Sequence, residues 1–260
     1  SNEKIKEFKG FFDFSYNESK DKIFLEVDKL DLEFLYVGSL ASGVGSNDIG
    51  LDRGQLGSER LVKFIKKGNK LLLVEPNLYY RAETKNTSEK KSVEQAFAKS
   101  VIFGFEIIET NDNHYLIDFT PFLMFDRHGV AKTLRDSKQG SYKVDKTKSA
   151  IEINNTKAFP NNVEFEALLT FSGEAKGSLI KSVSPDPDNV TVFQHHSFIK
   201  LPDNNYTPRK FDTRSGAISI SYMDYSSPID EPITKKYVIR HRLEKKNPEL
   251  EISEAVEPII

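Results

Sequence analysis

The residues of this chain best suited to chemistry are its histidines, its paired acids and one glycine-rich stretch. The histidines are His114, His128, His195, His196 and His241, and none belongs to a His-Glu-x-x-His string. That string on a helix would turn two imidazoles toward one zinc, with the Glu as base. His195 and His196 are adjacent on an expected strand, where neighbours point to opposite faces, so one metal cannot easily hold both. One of the two is therefore expected to be buried or hydrogen-bonded and the other exposed; a ligand role for either needs residues from elsewhere in the chain. Glu164 and Glu166 flank Phe165 on another expected strand. Their carboxylates fall on one face about 7 Å apart, a separation used by acid/base pairs in glycoside hydrolysis. The alternation Val163, Phe165, Ala167 favours a plainer reading, a solvated strand face over an apolar one.

The glycine-rich stretch runs from Gly38 through Gly43, Gly45, Gly50 and Gly54 to Gly57. A phosphate loop needs a helix at its end and a Gly-Lys-[Ser/Thr] string, and here Arg60 to Phe64 reads as a strand instead. A long structured loop that packs on a neighbouring domain or edge is the expectation. Asp186, Asp188 and Asn189 alternate oxygen ligands but lack the Gly and bidentate Glu of a calcium loop, which leaves a turn. No Gly-x-Ser-x-Gly nucleophile string occurs. The run from Arg240 to Lys246 has the mixed charge of a solvated strand end, although it could also meet an anionic partner. No catalytic residue, no metal ligand and no cofactor site is therefore assigned within the chain.

Composition narrows the class. Thirty-seven basic and 39 acidic residues leave a net charge of -2, which gives no basic field for nucleic acid. Cysteine is absent, which removes disulfides, thiolate zinc sites and cysteine nucleophiles together. No run approaches the roughly 20 apolar residues of a membrane-spanning helix. A chain of 260 residues with 19 Phe and 10 Tyr has ample material for a core.

Short segments rich in β-branched and aromatic residues, separated by turn signals, predict a mainly β fold of antiparallel sheets or a sandwich. Strands are expected near 11–16, 22–27, 33–40, 61–66, 70–75, 101–109, 114–119, 163–171, 190–200, 217–222 and 236–243. Lys67-Gly68-Asn69 and Asn111-Asp112-Asn113 are expected hairpin turns. Two helices packed on the sheet are predicted. One starts near Asn86, Thr87 or Ser88 and carries Val93, Ala96, Phe97, Ser100 and Val101. The other opens on Thr120-Pro121 and runs through Phe122, Leu123, Phe125, Val130 and Leu134. Pro and Asp become frequent from Ser184 onward, which suggests a β-rich module over 8–185 followed by an extended connector with strands over 186–260.

Several longer strings are more specific than any of these signals. They are Ser46-Asn47-Asp48-Ile49-Gly50-Leu51-Asp52-Arg53-Gly54-Gln55-Leu56-Gly57, Gln194-His195-His196-Ser197-Phe198 with Leu201-Pro202-Asp203, and Phe211-Asp212-Thr213-Arg214-Ser215-Gly216. Asp224-Tyr225, Pro228-Ile229-Asp230-Glu231-Pro232 and the Arg240 to Lys246 run complete the set. In this order the chain, from about Phe8 onward, resembles the N-terminal part of large bacterial zinc-dependent metalloproteases, a domain of unknown function that precedes a zincin-like peptidase domain. The resemblance implies a non-catalytic accessory module, secreted, periplasmic or bound to the cell envelope, whose partner is its own downstream catalytic domain. Zinc is expected in that domain and not in this chain, and Glu254 to Ile260 would lead into it. Asn47, Asp48, Asp52, Arg53, Gln55, His195, His196 and Arg214 are the residues expected at the docking surface. The other reading, from Tyr79, Tyr80, Tyr206, Tyr222 and Tyr225, is an independent module that binds glycan or peptide on aromatic faces.

Overall fold

A computed structural model describes residues 4–203, 205–240 and 244–254. The chain is β-rich, with 45% of residues in strands and 13% in helices. In chain order the strands are β1 (Ile5–Phe8), β2 (Asp13–Asn17), β3 (Lys22–Val27), β4 (Phe34–Ser42), β5 (Leu56–Lys67), β6 (Lys70–Glu75), β7 (Tyr80–Arg81) and β8 (Ser100–Asn111). They continue with β9 (His114–Asp118), β10 (Gly140–Val144), β11 (Ala150–Ile151), β12 (Lys157–Phe159), β13 (Asn162–Ala175), β14 (Asn189–Lys200), β15 (Ser219–Asp224) and β16 (Thr234–Val238). The helices are α1 (Thr87–Ala96), α2 (Thr120–Leu123), α3 (Val130–Asp136) and α4 (Ser178–Val183).

These elements form two compact units, one of residues 1–75 and 101–201, the other of 76–100 and 202–260. The first is built on a large antiparallel sheet that nearly closes. Its strands lie in the order β1-β2-β3-β9-β8-β6-β5-β4-β14-β13-β10, and β11 and β12 also pair with β13. Closure brings the corner between β1 and β2 to the far end of the sheet, where the Phe11 N–H donates to the Phe159 carbonyl at 2.8 Å. Gly10 permits that approach, because a Cβ there would lie 2.6 Å from the same oxygen.

Period-2 alternation puts one face of each strand inside. Ile23, Leu25 and Val27 of β3, Phe34 and Tyr36 of β4, Val62 and Phe64 of β5, and Val163 and Phe165 of β13 are all buried. Much of the core is aromatic, which is where the chain's many phenylalanines go. Phe198 of β14 lies with its ring centroid 5.0 Å from Phe34, 5.4 Å from Tyr36, 5.6 Å from Phe119 and 6.0 Å from Phe165. Edge-on and tilted contacts of this kind suit the ring quadrupoles and add to the burial of large apolar area.

The strands at 22–27 and 70–75 have the expected bounds, and both hairpins form as expected, with Gly68 at φ 58° and Asp112 at φ 51°. The second expected helix does not run through. Asp126 interrupts it: Oδ1 accepts from the N–H groups of Gly129 and Val130, each at 2.8 Å, and Oδ2 accepts from Ala131 at 2.9 Å. Gly129, at φ 83°, makes the left-handed turn that starts α3. The first expected helix stops at Ala96. Its start is capped by Asn86, whose Oδ1 accepts from Ser88 and Glu89, but Ser100 and Val101 belong to β8 and none of its residues is buried. Strands β1, β7, β10, β11 and β12 and helix α4 fall outside the expected elements. The strand expected over 236–243 extends past Ile239 and Arg240 to His241, Arg242 and Leu243, which lie outside the described residues, as do 255–260.

The second unit is a three-stranded sheet in the order β16-β15-β7 with α1 beside it. β15 pairs with β16 antiparallel and with the short β7 parallel. Asp224 stitches it together: Oδ1 accepts from the N–H groups of Glu83 at 3.0 Å and Ser226 at 3.1 Å.

Candidate functional site

β14 carries adjacent residues to opposite sides of the sheet, and this decides the fate of the two histidines. Gln194, His196 and Phe198 point into the core, whereas His195 and Ser197 stand opposite Glu166 and Glu164 of β13. His195 is pinned between the two carboxylates, Nε2 at 2.8 Å from Glu164 and Nδ1 at 3.0 Å from Glu166. Ser197 Oγ and Asn162 Nδ2 also donate to Glu164, and Asn155 Nδ2 donates to Glu166 at 2.6 Å. The Glu164 hydrogen bond, with Glu166 behind it, raises the His195 pKa against the opposing effect of burial. Burial pushes the Glu164 pKa up, but its bonds to His195, Ser197 and Asn162 together leave it lowered.

The expected solvated glutamate face is therefore a filled one, with Glu166 only 4% exposed. Burying a carboxylate requires a charged, hydrogen-bonded partner, and the imidazolium supplies it to both at once. With both ring nitrogens held by carboxylates, His195 has no lone pair free to accept a proton from a substrate. The cluster is a strut across β13 and β14.

His196 is wholly enclosed. Its Nδ1 lies 2.9 Å from the Tyr36 hydroxyl and its Nε2 3.3 Å from Gln194 Nε2. Burial, reinforced by the charges of His195, Arg127 and His128, drops its pKa to about 3. The sign of the resulting pH dependence follows from the two states. An unfolded His196 takes up a proton near pH 6.5 and the folded one does not, so stability is lost as pH falls below 6.5 and continues to be lost down to about pH 3. The slope is about 1.4 kcal/mol per pH unit, or roughly 2 kcal/mol between pH 6.5 and 5. His196→Gln should flatten this acid limb in urea unfolding at a series of pH values; an unchanged slope would refute the assignment.

Gln194 links this buried layer to the turn between α2 and α3. Its Oε1 accepts from the N–H groups of Arg127 at 2.9 Å and His128 at 2.8 Å, and its Nε2 donates to the Phe125 carbonyl at 2.9 Å. Arg127 and His128 thereby reach a cavity of about 230 Å³ that Tyr36, Gly38, Gly57, Ser58, Arg60 and Ile102 also line. The cavity lies where the β4–β5 register slips between Val37 and Ser39, a bulge that opens the ladder. Gly57 sits at the slip, and a Cβ there would meet the Gly38 carbonyl at 3.0 Å and His128 Nδ1 at 3.4 Å.

Two polar atoms of these residues are enclosed by protein rather than open to the cavity. Arg127 Nε and His128 Nδ1 are buried with no hydrogen-bond partner among the described residues, and each such orphan costs about 1–3 kcal/mol. The Arg127 guanidinium lies over Phe125 at 4.3 Å and Phe122 at 4.8 Å, and Nη1 donates to the Ile102 carbonyl at 3.2 Å. Burial lowers the pKa of both Arg127 and His128. Arg60, by contrast, has its own carboxylate in Glu75.

The expected docking residues are spread over different places. Asn47, Asp48 and Arg53 are exposed on a loop whose Ile49 and Leu51 are buried, and the Val44 N–H donates to the Leu51 carbonyl at 2.8 Å. The glycine-rich stretch thus folds back on β4 within its own unit. Asp52 and Gln55 are half-buried, and Gln55 Oε1 lies 3.4 Å from His128 Nε2. Arg214 is exposed in the second unit and pairs with Asp212. His195 and His196 are occupied as described, and His196 offers no surface to a partner.

Arg127, Tyr36 and Gln194 were missed in the sequence, although Asp126-Arg127-His128-Gly129 carries the Asp and Gly of a capped turn. Asp186, Asp188 and Asn189 do form a turn, with Asn189 Nδ2 donating to Asp186 Oδ2 at 2.7 Å. Among the described residues, no cluster of His, Asp and Glu is arranged to hold a metal ion, and no helix is long and apolar enough to cross a membrane.

The second unit offers two surfaces. Ile218, the residue before β15, and Ile220 on it are 75% and 60% exposed and, two residues apart along extended chain, share a face. The Ile239 N–H donates to the Ile218 carbonyl at 2.9 Å, which places another isoleucine, 58% exposed, beside them. Near β7, Tyr80 stacks on Phe97 with centroids 4.1 Å apart, and Tyr225 packs 5.0 Å from Phe97. Tyr79 and Tyr225 keep nearly half of their surface exposed.

Compared with known proteins, residues 54–246 match the family described as Domain of unknown function (DUF5117), and the chain belongs to it. No curated protein matches the chain, and no solved structure does.

Proposed function

We propose that the chain is a non-catalytic docking module that presents the isoleucine face of its second unit to another protein domain. The observation that carries this reading is the grouping of Ile218, Ile220 and Ile239 at high exposure on one small sheet. Contiguous exposed apolar surface of this kind marks interaction sites in soluble proteins. The partner we favour is the peptidase domain of a secreted bacterial zinc metalloprotease, following this module in the same polypeptide, as the resemblance of the long sequence strings suggests. Zinc and the catalytic base would then belong to that domain, and this chain would shape or cover its cleft.

The test joins genetics to binding. The source gene should continue into a His-Glu-x-x-His domain, and that domain, purified, should bind this chain with an affinity that falls at least tenfold in the double variant Ile218→Lys, Ile220→Lys. A gene without such a domain, or equal binding by the variant, would overturn the proposal. The cluster of Tyr79, Tyr80, Phe97 and Tyr225 favours a second reading, an aromatic platform for glycan or peptide. Binding in a glycan and peptide screen that is lost in Tyr79→Ala would support it, and an empty screen at millimolar concentration would count against it.

A further inference from the structure

The small sheet of the second unit has two faces, and the docking reading uses one of them. Residues 209–211 extend the sheet beyond β16. The Phe211 N–H donates to the Lys236 carbonyl at 3.0 Å, the Val238 N–H donates to the Arg209 carbonyl at 2.9 Å, and Lys210 stands opposite Tyr237. Across the other edge of β16, Val238 pairs with Ser219, Lys236 with Ser221 and Tyr237 with Ile220. Residues paired across strands share a face, and neighbours along a strand alternate. Arg209, Val238 and Ser219 therefore form one row and Phe211, Lys236 and Ser221 the next, on the side away from Ile220. Alternation carries Arg240, two residues beyond Val238, to the same side.

The cations of this face are unmatched. Arg209, Lys236 and Arg240 are exposed, and among the described residues none of them forms an ion pair. Of the flanking acids, Asp212 pairs with Arg214 and Glu231 with Lys235. Two of the three cations rest on rings, Lys236 Nζ at 6.0 Å from the Phe211 centroid and the Arg240 guanidinium at 5.2 Å from that of Tyr206. Such seating restrains a long side chain before any partner arrives. Between the charges, Ser219 and Ser221 are small, so an incoming chain can lie close to the sheet.

From this arrangement we infer that the face binds an extended, acidic segment of polypeptide with Asp or Glu at every second position. Along an extended chain, side chains recur on one side about every 7 Å. Lys236 and Arg240 lie two such steps apart, and Arg209 stands beside the midpoint, one strand spacing of about 5 Å away. Three alternate carboxylates thus meet the three cations in turn. A single exposed ion pair adds little, so recognition here depends on several in register. The net charge of -2 supplies no wide basic field, which separates this local match from a nucleic-acid surface. Since the isoleucines project from the opposite side, the cationic face stays open when they are covered. Its use, which rests on the docking reading, is to hold an acidic substrate polypeptide beside the peptidase domain.

A fluorescently labelled peptide of Glu-Thr repeats is the probe, titrated with the whole chain at an ionic strength of about 0.15 M, where the screening length is about 8 Å. Its anisotropy should saturate at or below millimolar concentration. A peptide of the same composition with the acids in one block should bind more weakly. The double variant Arg209→Glu, Lys236→Glu, on exposed residues, should weaken binding by roughly tenfold or more, about the loss of two charge contacts. Lys210→Glu reverses a neighbouring charge on the opposite face and should leave binding within about twofold under this screening. Absence of saturation, equal binding of the blocked peptide, an equal loss in Lys210→Glu, or stronger binding of an oligogalacturonate or an oligothymidylate would overturn the inference. None of these results bears on the docking reading, because no variant alters an isoleucine.

Discussion

Replacing Phe198 by alanine is expected to destabilise the first unit by about 3–5 kcal/mol, the range for removing a large aromatic side chain from a close-packed core. The position is unusual even within this core. Phe198 is fully buried, and its ring is in contact range of Phe34, Tyr36, Phe119, Phe122 and Phe165. These residues come from β4, the α2 region and β13, so the cavity left behind would have walls on separate elements that cannot all move inward together. Part of the cost is lost transfer energy and part is the void that persists. Urea unfolding followed by tyrosine fluorescence measures it, and a loss below 1 kcal/mol would mean that the aromatic cluster is plastic enough to collapse.

His195→Leu is expected to be of similar size, about 3–5 kcal/mol at pH 7, by a different mechanism. Leucine fills much of the space but removes the one cation between Glu164 and Glu166, and breaking a buried ion pair from one side leaves an uncompensated charge. The pH dependence separates this from a packing effect. In the wild type the His195 pKa is raised, so its contribution is complete below the unfolded value near 6.5 and is lost as pH rises through the folded value. In the variant Glu164 loses the His195 bond that helps hold its pKa down and can shed its buried charge by taking up a proton, so the deficit should shrink as pH falls from 6 toward 4. A deficit constant across that range would leave the strut without electrostatic content. His195 and His196, neighbours in sequence, thus act oppositely: one supports the fold when charged, the other when neutral.

The sequence disclosed those parts of the architecture that local pattern dictates. Alternation in β3, β6 and β14 and the turn residues at Gly68 and Asp112 are local signals, and they were legible. Strands β10, β11 and β12 were not, because they are short and held by pairing along the 14-residue β13. The break between α2 and α3 was hidden because the helical spacing of Phe122, Val130 and Leu134 continues across it, while the Asp126 side chain captures the backbone. The same distinction applies to the site. That His195 and His196 face opposite ways follows from strand geometry alone, and the paired glutamates were visible on one face. Their juxtaposition with His195 depends on the register of β13 against β14, which no local signal carries. The cavity depends on a register slip between β4 and β5 and on a turn about 70 residues away from it in sequence, where Arg127 and His128 rest on Gln194.

The pairing of β4 with β14 also bears on how the chain comes to be folded. Tyr36 and His196, hydrogen-bonded in the finished core, are 160 residues apart in sequence. The nascent β4 must therefore remain without one of its two neighbours until most of the chain has left the ribosome. Contacts this distant require a large loop-closure entropy to be overcome before they return any energy, a topology associated with slow folding. Until β14 arrives, one edge of β4 is unpaired, and its Phe34 and Tyr36 belong to the same aromatic cluster that later stabilises the fold. The interval before closure is thus the period in which the chain is most open to aggregation and most in need of a chaperone.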